Sequence, residues 1–367
     1  IENLGNSYFS ENIKESQDNI YYNVEFLGTP TTAYGQTQQM IYDVTLNDAI
    51  VTNSGSYFMS VVDFAIPLTS VPLMIFPIAP NSALTNASTL NLNFVVNGVV
   101  QPTFNVTFTP ERLDLPQPNQ NVPLIPIITP YYFVYSYESM INMINTALSN
   151  AFNSMVTAFP AIVQSLNKAP FFTYDPSTQL ISLITHISYA TNTAPVDVVL
   201  IQLNNDLAVY LQGFSYNYLK RNGLPYSQFN ITSYGENGYP ANIYPSAITG
   251  YIATTESYVS IGNWSDLKKI IITTNSLPIA GESIARGETP GNIVNPQYIL
   301  SSFTPQVETA GQQRSTIYYN PSSQYRLIDI ISDMEVRRID VTIYWEDFRN
   351  NWYIMDLQPN DNATVRL

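Results

Sequence analysis

The chain has 367 residues, enough for one large or two ordinary domains, with 11% charged residues, no cysteine and a formal net charge of −14. An average soluble domain is roughly 25% charged, so polarity here is carried by Asn, Gln, Ser and Thr, beside 27 Tyr and 25 Pro. The missing basic arm argues against direct contact with nucleic acid, the missing thiols remove disulfides and Cys chemistry, and no apolar stretch approaches the ~20 residues of a membrane span.

Low charge with many Tyr and Asn suits extensive protein–protein contact; an AT-rich genome yields the same bias. No secretory signal peptide is read at the N-terminus. Residues 1–35 are polar around a short YYNVEFL and are expected to form an extended N-terminal arm that orders against a neighbour. Met40, Tyr42, Val44 and Leu46 alternate, as do Phe58, Val62, Phe64 and Ile66, which predicts strands. PLMIFPI (72–78) is a continuous apolar run between prolines, as in a buried or edge strand. Leu90, Leu92, Phe94 and Val96 lead into Asn97-Gly98, and Phe104, Val106 and Phe108 follow, which predicts a hairpin.

The Pro-rich stretch 113–130 reads as a long extended connection. The period then changes: Ile141, Ile144, Leu148, Ala151 and Met155 recur at helical steps, predicting an amphipathic helix over 138–159 capped by Ser136 and stopped by Pro160. A shorter helix is expected over 205–214. Strands are expected at 171–174, 180–184 and 196–202, and a long loop over 215–248. Strand patterns resume at 250–261 and 269–274, and a second loop, GESIARGETPGN, precedes the last strands.

The most regular alternation comes last. Ile339, Val341, Ile343 and Trp345 lie on one face, with Arg338, Asp340, Thr342 and Tyr344 on the other. After the turn EDFRNN, Tyr353, Met355 and Leu357 share a face. These seven apolar residues are the candidate structural core. About twelve short strands with Pro- and Gly-rich connections argue for a mainly β fold, a sandwich or jelly roll, with the helix-bearing middle as an inserted domain.

No catalytic constellation is found. His186, the only histidine, follows a predicted strand and reads as a strand-end residue; no G-x-S-x-G elbow, P-loop or G-x-G-x-x-G occurs. Glu346 and Asp347 are adjacent, so they point apart and read as solvated turn acids rather than an acid/base pair. A calcium ion in the EDFRNN turn is the weaker reading, because the D-x-D-x-D-G pattern is missing. Tyr131, Tyr132, Phe133, Tyr135 and Tyr137 form an aromatic cluster that reads as core or interface rather than as a stacking platform. The expectation is therefore a non-enzymatic structural protein with no cofactor and no metal.

The landmarks FAIPLTSVPLMIFPI (64–78), YYFVYSYESMINMINTALSNAF (131–152), APFFTYDPSTQLISLI (169–184), IIITTNSLPIAGE (270–282) and the run from Tyr325 to Leu367 resemble the penton, or vertex, proteins of Sputnik-like virophages. More broadly they are similar to jelly-roll minor capsid proteins of small double-stranded DNA viruses. The resemblance covers most of the chain from about residue 36. It implies a single jelly-roll base, residues 36–80 plus 250–367, and an outward-projecting insertion, residues 81–249. It also implies a homopentamer at the capsid vertex of the virion and contact with the major capsid protein; a host receptor or glycan is a candidate partner for the insertion. Two other readings remain open: a minor capsid or spike component of different symmetry, and a carbohydrate- or receptor-binding β-sandwich.

Overall fold

Eight strands wrap into two facing sheets: Asn23–Leu27, Ile41–Thr45, Asp63–Pro67, Lys269–Thr274, Gln297–Phe303, Thr316–Tyr319, Arg338–Glu346 and Asn362–Arg366. The structure, a computed structural model, describes residues 19–28, 38–79, 86–113, 115, 117, 131–163, 168–190, 198–232, 251–280, 283–284, 297–305, 308–309, 312–313, 316–321 and 326–367. In chain order the first strand pairs with the eighth, the second with the seventh, the third with the sixth and the fourth with the fifth, all antiparallel. One sheet therefore runs first–eighth–third–sixth and the other contains second–seventh–fourth–fifth. This nested pairing is a jelly roll.

Alternation dictates what fills the space between the sheets. Val24, Phe26, Phe64, Ile66, Ile317, Ala363 and Val365 point inward from the first sheet. From the second come Ile270, Ile272, Leu300, Ile339, Val341, Ile343 and Trp345. The first strand lies inside the span expected to be an extended arm. Its Val24 and Phe26 are buried, and Tyr22 and Leu367 exchange backbone hydrogen bonds of 3.1 and 2.9 Å, so residues 22–27 are an integral part of the base. Residues 1–18 and 29–35 of the expected arm lie outside the described residues, as do most of the Pro-rich connection and most of the loop GESIARGETPGN.

Between the third and fourth strands the chain builds a second core. A six-stranded sheet runs Tyr216–Arg221, Leu224–Phe229, Val199–Asn204, Ala87–Val96 and Val99–Val100, with Phe104–Thr107 also on Ala87–Val96. A three-stranded sheet joins Phe171–Asp175, Leu180–His186 and Tyr251–Thr255. The 22-residue helix Tyr137–Ala158 packs on both, burying Met140, Ile144, Leu148, Ala151 and Met155 among others. Ser136 caps it, its Oγ accepting from the Ser139 amide at 3.1 Å, and Glu138 in the first turn suits the positive end of the helix dipole. The helix ends at Phe159, and Pro160 opens a separate short helix, Pro160–Val163.

Several expectations are corrected here. Tyr251–Thr255, expected in the base, pairs with Leu180–His186, and Ile252, Ile261 and Trp264 belong to the second core. At the other boundary, Met74–Pro77 pairs with Tyr131–Val134 between the two cores. Met74, Phe76 and Ile78 enter the second core while Ile75 packs on the base. Residues 57–66 form two strands, Phe58–Met59 and Asp63–Pro67, with Phe58 exposed. The expected loop over 215–248 contains the hairpin Tyr216–Arg221/Leu224–Phe229. Its turn is Asn222-Gly223, both at positive φ (50° and 82°), the conformation of a two-residue hairpin turn. Residues 233–248 of that loop lie outside the described residues.

The Asn and Gln content has a structural use. Five of the six described non-glycine residues at positive φ are Asn, whose short amide tolerates left-handed backbone. Two amide side chains also act as surrogate strands. Gln117 donates to the Phe133 carbonyl at 2.9 Å and accepts from its amide at 2.8 Å. Asn145, on the helix, does the same for Phe172 at 2.9 and 2.7 Å. Each thereby satisfies backbone groups on a strand edge without a charged residue.

Candidate assembly and binding surfaces

The seven apolar residues singled out near the C-terminus lie in the interior. Ile339, Val341, Ile343, Trp345, Met355 and Leu357 are buried, and Tyr353 is half-buried with its ring stacked on Trp345 at 4.5 Å. The other face of the seventh strand, which alternation alone would turn to solvent, is also covered. Asp340, Thr342 and Tyr344 are buried. Tyr344 joins Ile271 and Ile299 in a small outer cluster flanked by Trp352 and Ile354.

Asp340 organises the turn after the fourth strand. Its carboxylate accepts from Thr274 Oγ1 at 2.7 Å, Asn275 N at 2.6 Å and Ser276 N at 2.8 Å, and also from Ser276 Oγ. By contrast, Arg338 and Asp43 form a two-pronged pair (2.9 and 2.7 Å) that is exposed on both sides. A pair so solvated adds little to stability.

The EDFRNN turn leaves no opening for calcium. Asp347 Oδ1 accepts from the amides of Arg349 and Asn351, both at 2.8 Å, and Oδ2 from Asn351 Nδ2 and the Tyr353 hydroxyl. Glu346 is held by Lys268 Nζ at 2.6 Å and Trp352 Nε1 at 3.0 Å. Neither acid is the solvated turn residue expected: both are buried. Among the described residues no group of three or more His, Asp or Glu is placed to hold a metal ion. His186 caps a short 3-10 turn through Nδ1 to Ser188, and burial lowers its pKa. The aromatic cluster before the helix is divided between the cores. Tyr132 stacks on Phe108 at 4.2 Å, Phe133 meets Trp345 edge-on at 5.8 Å, and Tyr137 meets Trp264 at 5.8 Å. Its rings are thus engaged mainly with aromatic partners from other elements rather than forming one platform.

One buried acid escaped the sequence reading, in which nothing set it apart from a surface residue. Glu256 accepts from the Ile181 amide at 3.1 Å and from Ser260 Oγ, tying the three-stranded sheet to the loop before Trp264. Gly213 packs directly over it: a Cβ there would stand 2.5 Å from the Tyr258 carbonyl oxygen and 2.9 Å from the Glu256 side chain. Burial raises the Glu256 pKa, against the opposing pull of its hydrogen bonds. With a raised folded-state pKa, its stabilising contribution is complete below the unfolded value of about 4.3 and is lost as pH rises through the folded value. Glu256→Gln removes the charge and keeps an acceptor oxygen. Its melting temperature should exceed that of the wild type at pH 7, and the difference should shrink at pH 4. A variant less stable at both pH values contradicts this.

The described surface carries two exposed apolar groups. Phe58, Leu327, Ile331 and Met334 are all more than half exposed and surround the short ladder Phe58–Met59/Ile328–Asp329 on the base. A second exposed group, Tyr218, Leu219 and Leu224, sits on the 216–229 hairpin. Sequence reading missed both groups. The signal for the first was LIDIISDMEV, too rich in apolar residues for a strand with one solvent face.

The geometry is that of a jelly roll with a large insertion and exposed apolar patches, and comparison with known proteins identifies the family. The family model described as Sputnik minor capsid protein V18/19 matches residues 20–367. The chain belongs to that family. It is a structural capsid protein of the virion and not an enzyme. Structural protein V19 of Sputnik virophage is 30% identical over 208 residues, 53% of this chain and 91% of that protein. The Sputnik protein named Uncharacterized protein V18 is 33% identical over 171 residues, 45% of this chain and 98% of that protein. Each of these Sputnik relatives therefore corresponds to about half of this V18/19 family member. Among solved structures, a chain of the 3.5 Å cryo-EM structure of the Sputnik virophage superposes with a TM-score of 0.71 at 29% identity, covering 95% of this chain and 97% of that one. The crystal structure of the mavirus penton protein gives a TM-score of 0.58 with the same coverage; at 13% identity it attests a shared fold.

Proposed function

We infer that this capsid protein closes the fivefold vertex of an icosahedral shell as a ring of five copies, with the jelly-roll base in the shell and the insertion projecting outward. The observation that carries the reading is the placement of the insertion. The chain leaves the roll after Asp63–Pro67 and re-enters it at Lys269–Thr274, and the two crossings lie side by side, the Asp266 amide donating to the Leu73 carbonyl at 3.1 Å. The division that follows is a base of residues 19–73 plus 265–367 and an insertion of residues 74–264. Identical wedges that associate head to tail close into a ring when the rotation permits, and this needs two different complementary surfaces on each copy. The patch around Phe58 and Met334 is suited to contact with a neighbouring copy or with the major capsid protein. The low overall charge reduces the desolvation cost of such contacts.

Electron microscopy of the particle tests the reading through symmetry and copy number. Five copies around each fivefold axis are expected, and their absence from fivefold positions overturns the proposal. A finer test is Met334→Asp. It should leave the melting temperature unchanged, because Met334 is exposed, while sharply reducing incorporation into particles. Normal incorporation removes this patch from the interface.

A further inference from the structure

We propose that the six-stranded sheet of the insertion binds an acidic carbohydrate on the face turned away from the helix. The proposal is independent of the vertex reading, since binding is measured on the isolated chain. The two faces of this sheet differ sharply. Toward the helix, Leu92, Phe94, Ile201, Leu203 and Phe229 fill the second core. On the opposite face, register aligns Asn93, Gln202, Gln228 and Asn217 in one row across four strands. A row of amides is what a sheet presents when its ligand both donates and accepts hydrogen bonds, as sugar hydroxyls do.

The row is built and charged. Gln202 Nε2 donates to Gln228 Oε1 at 3.2 Å, and Arg221 Nη2 donates to Gln202 Oε1 at 2.9 Å. The Arg221 guanidinium lies 4.5 Å over the Tyr226 ring, which holds it flat. Arg221, Tyr226 and Gln228 are part-exposed and Asn217 is exposed, so this end of the row meets solvent. At its inner end Asn93 is fully buried beside Gln202, and neither its oxygen nor its nitrogen has a hydrogen-bond partner. An orphaned amide is costly and calls for a reason. A ligand hydroxyl reaching past Gln202 would satisfy both atoms.

Charge selects the ligand class. The chain carries 28 acids and 14 bases, yet no Asp or Glu occurs between Asp206 and Glu236, and within that interval Arg221 lies on the face of the amide row. A guanidinium presents paired donors to a carboxylate or sulfate, so a uronic, sialic or sulfated sugar fits better than a neutral one.

The test uses the full chain against a panel of sulfated, uronic and sialylated oligosaccharides, neutral oligosaccharides, anionic phospholipid vesicles and single-stranded DNA. At least one acidic oligosaccharide should bind, more weakly as salt increases, and neutral ones should not. Arg221→Gln should weaken that binding about tenfold or more without changing the melting temperature, and Arg221→Lys should restore only part of it. Asn93→Leu should weaken it while leaving the fold at least as stable, which separates a ligand role from a structural one. Failure to bind any acidic oligosaccharide, or binding unchanged in Arg221→Gln and Asn93→Leu, overturns the proposal. So does Arg221-dependent binding to vesicles or DNA that equals or exceeds binding to the sugars.

Discussion

Trp345→Ala should lower the unfolding free energy by about 3–5 kcal/mol, the range for removing a large buried aromatic side chain. The indole is 1% exposed, stacks on Tyr353, and meets Phe133 edge-on. Its neighbours come from separate elements. The seventh strand pairs it with Ile270, Tyr353 follows the EDFRNN turn, and Phe133 precedes the helix. No single segment can collapse into the vacated volume without disturbing another, which places the cost in the upper part of that range. Phe133 and Val134 are consecutive, one in the base core and the other in the insertion core. The variant should therefore also loosen the junction. Chemical denaturation measures the first effect, and protease sensitivity near 131–134 the second. An unchanged denaturation midpoint would mean that Trp345 is not a packing residue.

Asp340→Ala should cost about 2–3 kcal/mol, because hydrogen bonds to a charged acceptor are stronger than neutral ones and their donors are left behind. The Asn275 and Ser276 amides and the Thr274 hydroxyl lose their acceptor together. Water can reach Asn275 and Ser276, which are not buried, and this limits the loss. Asp340→Asn keeps one acceptor oxygen and should fall between the two. Asp43→Ala, which breaks only the exposed pair with Arg338, is the control and should change stability little. If Asp340→Ala and Asp43→Ala behave alike, Asp340 does not organise the turn.

Both residues show where sequence legibility stops. The alternation of Ile339, Val341, Ile343 and Trp345 marks the inner face of the strand, because apolar residues at period two need no knowledge of partners. Asp340, Thr342 and Tyr344 look solvent-facing by the same rule. They are buried because their partners lie elsewhere: the turn at 274–276, and Ile271, Ile299 and Trp352. The helix was legible down to its Ser136 cap because all its signals are local. The hairpin at 216–229 was also locally coded, by Asn222-Gly223, but it lies among Tyr, Asn and Gly residues of loop-like composition. Asn97-Gly98, flanked by Leu, Phe and Val, was plain. The nested order of the roll was not written locally at all, since its pairs join residues as distant as Asn23 and Arg366.

The nested order also sets a schedule for folding. Contacts of the second core lie between Met74 and Trp264, so that unit can form while the rest of the chain is still being made. The base cannot. Val24 waits for Val365 opposite it, and Phe64 waits for the same strand on its other side, because Asn362–Arg366 sits between the first and third strands. Until residue 366 leaves the ribosome, two apolar edges lie open to wrong partners. Synthesis is thus the interval of greatest aggregation risk, and the net charge of −14 is what holds nascent chains apart during it.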